Sequence, residues 1–173
     1  MKKQDHTIMS QDPVIDNDRI LEIARLRLHE DAVDDILNEY AKQAAEEFDL
    51  PIGLVSIVLD DVQKFAAAHG LGGWIGDTGS TPVEWAFCAN SVRTNSPFIV
   101  ENAPDHALVR DNPLVTQDGI KCYAGAPIIS KNGYVLGNFC VIGSEERSFS
   151  EEEVNRLKEY AKIAAKRLET RVS

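Results

Sequence analysis

The sequence has no apolar run that approaches the ~18 residues needed to span a bilayer. The basic start Met1-Lys2-Lys3 has no apolar stretch behind it, so no secretory leader is expected. There is no excess of positive charge either. The net charge is −10, which argues against nonspecific binding to nucleic acid or to an anionic membrane surface, since both need a positive field. Cysteine is scarce and odd in number: Cys88, Cys122 and Cys140, with no CxxC pair. A chain of 173 residues needs no covalent staples, so free thiols in a reducing cytoplasm are the simplest expectation. The four histidines His6, His29, His69 and His106 show neither HxH nor HExxH spacing, which excludes a dedicated metal motif. Internal repeats and low-complexity tracts are absent.

What is present is a mixture of helical and strand-like patterning in one domain. Residues 1–17 are polar and aperiodic and read as a loose tail, leaving 18–173 as the domain with its flanking helices. A helix is expected over 18–28, with Ile20, Ile23, Ala24 and Leu28 on one face. Asp31 stands where it could cap a second helix carrying Val33, Ile36, Leu37, Tyr40, Ala41, Ala44 and Phe48 and ending near Asp49. Ile52–Leu59 is almost wholly apolar and suits a central strand covered on both faces. Val62–His69 reads as a second strand with Phe65, Ala67 and His69 on one side. Trp74 follows in a glycine-punctuated loop, as a lid or as a core plug. Residues 82–92 read as a short helix, with Thr81 as N-cap and Glu84 completing a capping box. A short strand at 97–100 and an irregular stretch around 105–115 come next.

Two apolar strands, within Gly119–Ile129 and Tyr134–Ile142, flank Asn132-Gly133, a strong hairpin signal because both residues tolerate positive φ. Ala124, Gly125 and Ala126 leave one strand face bare, so a helix or a ligand must come close. The last helix opens on a Ser150-x-x-Glu153 box. Before Glu145 lies the whole excess of acid; from Glu145 onward acids and bases balance at seven each. Val154, Leu157, Ala161, Ala164 and Leu168 form a three-four spaced seam, suited to a second helix of a homodimer or to this domain's own sheet. Hairpins and a single crossing helix imply an α+β domain with an antiparallel sheet.

Four segments together resemble the GAF domain family of small-molecule sensors, closest to those ahead of histidine kinases and diguanylate cyclases. They are Thr81–Val92, Arg110–Thr116, Tyr123–Pro127 and Val135–Ile142. The resemblance covers about 18–170. It implies a six-stranded antiparallel sheet with the terminal helices packed on one face and a ligand pocket on the other, walled by 81–92 and 102–118. Asn90 departs from the histidine common in that subfamily, and Cys122 from an aromatic. On this reading the chain is a non-catalytic cytoplasmic sensory module whose effector and cofactor are unnamed. Its output would pass through the terminal helices to a homodimer partner, a histidine kinase or a diguanylate cyclase. Pocket candidates are Trp85, Phe87, Cys88, Asn90, Asp105, His106, Asn112 and Tyr123. Trp85, Phe87 and Tyr123 would supply apolar walls, or simply fill the core; Asn90, Asp105 and Asn112 would supply polar tips. His106 could hydrogen-bond a ligand or sit in a surface loop, and a single histidine leaves haem ligation open.

Two alternatives stand beside this. One GAF branch reduces free methionine-R-sulfoxide with cysteines, but no Lys, Arg or His adjoins Cys88 to activate it. The other is a ligand-free dimerisation or adaptor module. No Cys precedes a His, as bilin attachment commonly requires, and the cyclic-nucleotide pattern of the family is not matched.

Overall fold

The computed structural model describes residues 12–28, 34–70, 80–82 and 87–170. A 3-10 turn, Pro13–Ile15, leads into α1 (Asn17–Arg25), then α2 (Asp35–Glu47), β1 (Ile52–Val58), β2 (Val62–His69) and β3 (Ser80–Pro82). Next come α3 (Ala89–Thr94), β4 (Phe98–Val100), a 3-10 turn at Ala103–Asp105, and α4 (Pro113–Thr116). The chain closes with β5 (Cys122–Ile129), β6 (Val135–Gly143) and α5 (Glu151–Thr170). The strands form one six-stranded sheet in the order β3-β2-β1-β6-β5-β4. Every pairing is antiparallel. The expected α+β class and sheet are therefore found.

Side-chain alternation sorts the sheet into two faces. Val55, Ile57, Ala124, Ala126, Ile128, Phe139 and Val141 face the helices α1, α2 and α5. Leu54, Val58, Tyr123, Cys140 and Ile142 face the cover formed by 87–120. The bare face of β5 is thus split. Ala124 and Ala126 admit the close approach of α5, whereas Gly125 faces the other way, where an added Cβ would run into Tyr123 and Asn138. The guest of the alanine stripe is a helix, not a ligand.

Several local expectations are corrected. The tail boundary at 17 falls inside ordered structure, because Val14 is buried in the cover-side core. Asp16 caps α1 through Arg19 N–H. Its buried side is Arg19, Glu22, Ile23 and Leu26, while Ala24 is exposed. The charged pair can be buried because it is fully engaged. Arg19 donates to the carbonyls of Pro13, Val14 and Val135 at 3.1, 2.8 and 3.1 Å, and burial draws its pKa down to about 10. Asp34 caps α2; Asp31 and Val33 lie outside the described residues. Ile36 is exposed rather than on the apolar stripe.

β2 carries a bulge: Val55 pairs with Ala67 and Ser56 with Phe65, so Ala66 is the extra residue. Ala67 consequently faces the helices and Phe65 the cover, against the expected alternation. Thr81 and Pro82 lie in β3, not at a helix start; β3 is an edge strand, where proline is tolerated. The helix begins only at Ala89. The Thr81 hydroxyl is occupied by Gln63, and Trp74, Glu84 and Trp85 lie outside the described residues. The β5–β6 turn is longer than two residues. Gly133 N–H donates to the Ser130 carbonyl at 2.9 Å, and positive φ falls on Gly133 (92°) but not on Asn132.

The α5 capping box forms as expected: Ser150 N–H to Glu153 at 3.0 Å and Glu153 N–H to Ser150 Oγ at 3.1 Å. The expected intermolecular seam turns inward instead. Leu157, Ala161, Ala164 and Leu168 are buried in the domain's own helix-side core, and Val154 is half-buried. The sheet had an uncovered apolar face within reach, so the stripe is spent inside the chain.

Candidate functional site

Between the sheet and its cover lies a cavity of about 240 Å³. β1 and β6 supply its floor through Leu54, Cys140 and Ile142; β5 supplies Tyr123, and β2 supplies Gln63 and Phe65. The cover supplies Phe87, Cys88, Leu114 and Ile120, with Asp118 exposed at the rim. The bulge at Ala66 is what brings Gln63 and Phe65 to this side.

The floor is a polar cluster whose hydroxyls, thiols and amide N–H groups are engaged, while Asn138 Oδ1 is buried without a hydrogen-bond partner. Ser56 Oγ donates to Cys88 Sγ at 2.7 Å, and Cys88 Sγ lies 2.9 Å from the Tyr123 hydroxyl. Asn138 Nδ2 donates both to Tyr123 Oη and to Ser91 Oγ, each at 2.9 Å. The Cys140 thiol is within hydrogen-bonding reach of Cys88. Burial pushes the Tyr123 phenol and the Cys140 thiol well above their ordinary values. Burial also opposes a Cys88 thiolate, but donation from Cys140, Ser56 and Tyr123 outweighs it and brings the Cys88 pKa below its usual value. Cys122 is on the other face, beside Leu50, its pKa raised by burial. Cys122 and Cys140 therefore cannot pair, although they lie on neighbouring strands. Cys88 and Cys140 are the thiols that share the site.

Of the candidate residues, the structure brings together Phe87, Cys88 and Tyr123. The rings of Phe87 and Tyr123 are 5.1 Å apart, centroid to centroid. Four candidates are elsewhere. Asn90 donates back to the Phe87 carbonyl at 3.1 Å, stabilising the start of α3. Asp105 is exposed and accepts from Asn102. His106 accepts from Leu108 N–H through Nδ1 and sets its ring edge against Phe98. Asn112 caps α4 by accepting from Leu114 N–H at 2.9 Å. Sequence reasoning missed Ser56, Gln63, Thr81, Asp118, Asn138 and Cys140 as site residues. A signal existed for two: Ser56 and Asn138 are lone polar residues inside otherwise apolar strands, and a buried polar group needs a partner.

A second, shallower groove of about 780 Å³ runs along α5 beside Lys131, Lys158, Lys162 and Lys166. Among the described residues there is no cluster of three or more His, Cys, Asp or Glu suited to a metal ion, and no helix long and apolar enough to cross a membrane.

The profile of the GAF domain family matches residues 30–169, and the chain belongs to that family. A cyclic di-GMP phosphodiesterase of Pseudomonas aeruginosa is 33% identical over 160 residues; these are 91% of this chain but 26% of that protein, so the chain spans about a quarter of its relative. The GAF domain of a phosphoenolpyruvate-protein phosphotransferase from Coxiella burnetii has a similar fold, with a TM-score of 0.67 at 17% identity, covering 88% of this chain and 92% of that one. The free methionine-R-sulfoxide reductase of Neisseria meningitidis, solved with its substrate, gives a TM-score of 0.63 at 19% identity, covering 84% of each chain. At these identities the solved structures speak for the fold alone.

Proposed function

We propose that this chain is a sensory module that binds a small molecule in the cavity between sheet and cover and passes the event to its helix layer. The cavity carries this reading: a walled, mainly apolar space with a few polar groups is the usual form of a small-molecule site. Strand alternation supplies the route. On β6, Cys140 and Ile142 line the cavity while Phe139 and Val141, alternating with them, pack under the helices. A ligand that favours one seating of these strands shifts the helices by its differential affinity. Arg25 of α1 joins the route by bridging Glu22 and Glu169 at 2.8 and 3.1 Å, tying α1 to the end of α5. The output is a cytoplasmic kinase, cyclase or phosphodiesterase activity carried by a partner or an adjoining domain. The matched phosphodiesterase supports that setting.

Homodimerisation through the helix layer would use exposed Leu21 and Ile36 rather than the buried 154–168 stripe. The test of sensing is a two-dimensional amide NMR screen of the chain against a metabolite library. Shifts concentrated at Phe65, Phe87 and Tyr123, with a raised melting temperature, support it. A library without a single such hit overturns it.

The reductase reading has one observation behind it, the shared site of Cys88 and Cys140. Against it, free methionine-R-sulfoxide carries a carboxylate, and none of the described lining residues is a cation. Turnover of that substrate, lost in Cys88→Ser, would replace the sensory reading with the catalytic one. The adaptor reading expects a filled cavity, and the space beside Tyr123 is open.

A further inference from the structure

The polar groups of the cavity are unevenly satisfied, and the imbalance has a chemical sign. This inference rests on the sensory reading above and names the ligand class. On the floor, the lining groups Cys88, Tyr123 and Cys140 engage one another and Ser56; Asn138 Oδ1 behind them is also unpartnered but does not line the cavity. On the opposite wall, Gln63 is 5% exposed; its Nε2 donates to Thr81 Oγ1 at 3.0 Å, and its Oε1 is buried without a hydrogen-bond partner. A buried amide carbonyl left unmet is costly, and a donor on a guest would remove that cost.

Asp118 adds a second acceptor at the rim. None of the described lining residues is Lys, Arg or His. An anionic ligand would lose its hydration here and meet no counter-charge. The walls between these groups are apolar and aromatic: Leu54, Phe65, Phe87, Leu114 and Ile142.

Volume sets the size. About 240 Å³ corresponds to roughly eight waters at their liquid volume, and it lies below the range of drug-sized pockets. A guest of on the order of ten non-hydrogen atoms fits within it.

We propose that the cavity binds a compact, apolar or aromatic molecule that is neutral or cationic and presents an N–H donor to Gln63 Oε1, its free end directed toward Asp118. Four probes of similar size separate the parts of this statement. Indole is neutral with one N–H, phenethylamine is cationic, 3-phenylpropionate is the anionic counterpart, and toluene has neither charge nor donor. Affinities are read by amide NMR titration of the full chain.

The expected result is that indole or phenethylamine binds at least tenfold more tightly than toluene, with 3-phenylpropionate weaker than either. Gln63→Met should reduce the advantage of the N–H probe over toluene about tenfold. Gln63→Glu, nearly isosteric, should strengthen phenethylamine and weaken 3-phenylpropionate further. Asp118→Asn should weaken phenethylamine about threefold and leave indole unchanged. The folded state of each variant is checked by its amide spectrum, and a misfolded Gln63→Met leaves Gln63→Glu to decide.

Toluene binding as tightly as indole, or 3-phenylpropionate binding as tightly as phenethylamine, overturns the donor chemistry while leaving the sensory reading intact. Failure of all four probes overturns the ligand class, and the sensory reading then stands or falls on the metabolite screen described above.

Discussion

On the helix side of β6, Phe139 stacks on Tyr160 of α5 with ring centroids 5.0 Å apart and planes 20° from parallel. One residue along on either side, Asn138 and Cys140 turn to the opposite face and join a network of hydroxyls, thiols and an amide beside an open space. The helix-side core contains aliphatic and aromatic side chains in close contact, and its buried carboxylates Glu22 and Asp34 are each paired with an arginine, Arg25 and Arg167. The cover-side core contains Ser56, Gln63, Ser91 and Asn138, all buried, and keeps a cavity. The same strands thus build a stiff layer and an adaptable one, separated by the thickness of one sheet. Stability is concentrated where packing is dense, and recognition where it is incomplete.

The sharpest way to break this comparison is to truncate one aromatic on each face. Phe139→Ala should cost about 3–5 kcal/mol in denaturant-measured stability, because its neighbours cannot collapse into the gap. Phe65→Ala, at a half-exposed cavity wall, should cost less than about half of that. Equal losses would show that the cover side is as tightly built as the helix side.

Gly53 probes the helix face from the backbone. A Cβ there would collide with the carbonyl oxygen of Ala41 in α2, so Gly53→Ala should push α2 off the sheet and cost about 1–3 kcal/mol or more. A melting temperature within a degree of the parent would mean that α2 seats less closely than described.

Glu22 tests the latch between α1 and the hairpin by acid. Its carboxylate accepts from Arg25, from Ser130 and from Asn132, which lowers its pKa from the ordinary 4.5 to about 2. A lowered folded pKa means the contribution is full above pH 4.5 and is lost as pH falls toward 2. Partial exposure of Arg25 reduces its worth to about 1–3 kcal/mol. Glu22→Gln should lower stability at pH 7 and flatten its slope between pH 5 and 3; an unchanged slope would count against the latch.

The smallest effect belongs to the cover side. Tyr123→Phe removes one partner from Asn138 and one from Cys88, while Ser91 and Ser56 remain to them. The expected loss is about 1 kcal/mol by chemical denaturation. A loss above 3 kcal/mol would mean that the floor cluster acts as a rigid unit.

The elements and the layering were legible in the sequence because they follow from periodicity and caps: β2 over 62–69, the Ser150–Glu153 box, and the central position of β1. The sorting of side chains to faces was less so. A strict alternation puts Phe65, Ala67 and His69 together, and only the pairing of Val55 with Ala67 and Ser56 with Phe65 reveals the extra residue. The burial of Arg19 and Glu22 left no sign in the local sequence, because their partners Val135, Ser130 and Asn132 are more than 100 positions away. Within the candidate site, Phe87, Cys88 and Tyr123 were found through the family resemblance and their apolar setting. Asn90, Asp105 and Asn112 were misread because short polar side chains in irregular segments serve first to finish turns and cap short helices. Gln63 left no local signal: its importance arises from the β2–β3 edge, where the pairing partner lies across a loop.

The single supernumerary alanine in β2 works as a phase shifter. Upstream of it the strand shows Gln63 and Phe65 to the cavity; flattening the bulge with the sequence intact would slide Ala66 opposite Ser56 and turn both into the helix layer, exchanging them for Val62 and Lys64. A slip of one register upstream of Ala66, with no change of sequence, would thus put the Lys64 cation on the face that now carries the Gln63 acceptor. A lineage of such proteins could retune what it detects by slippage as readily as by substitution.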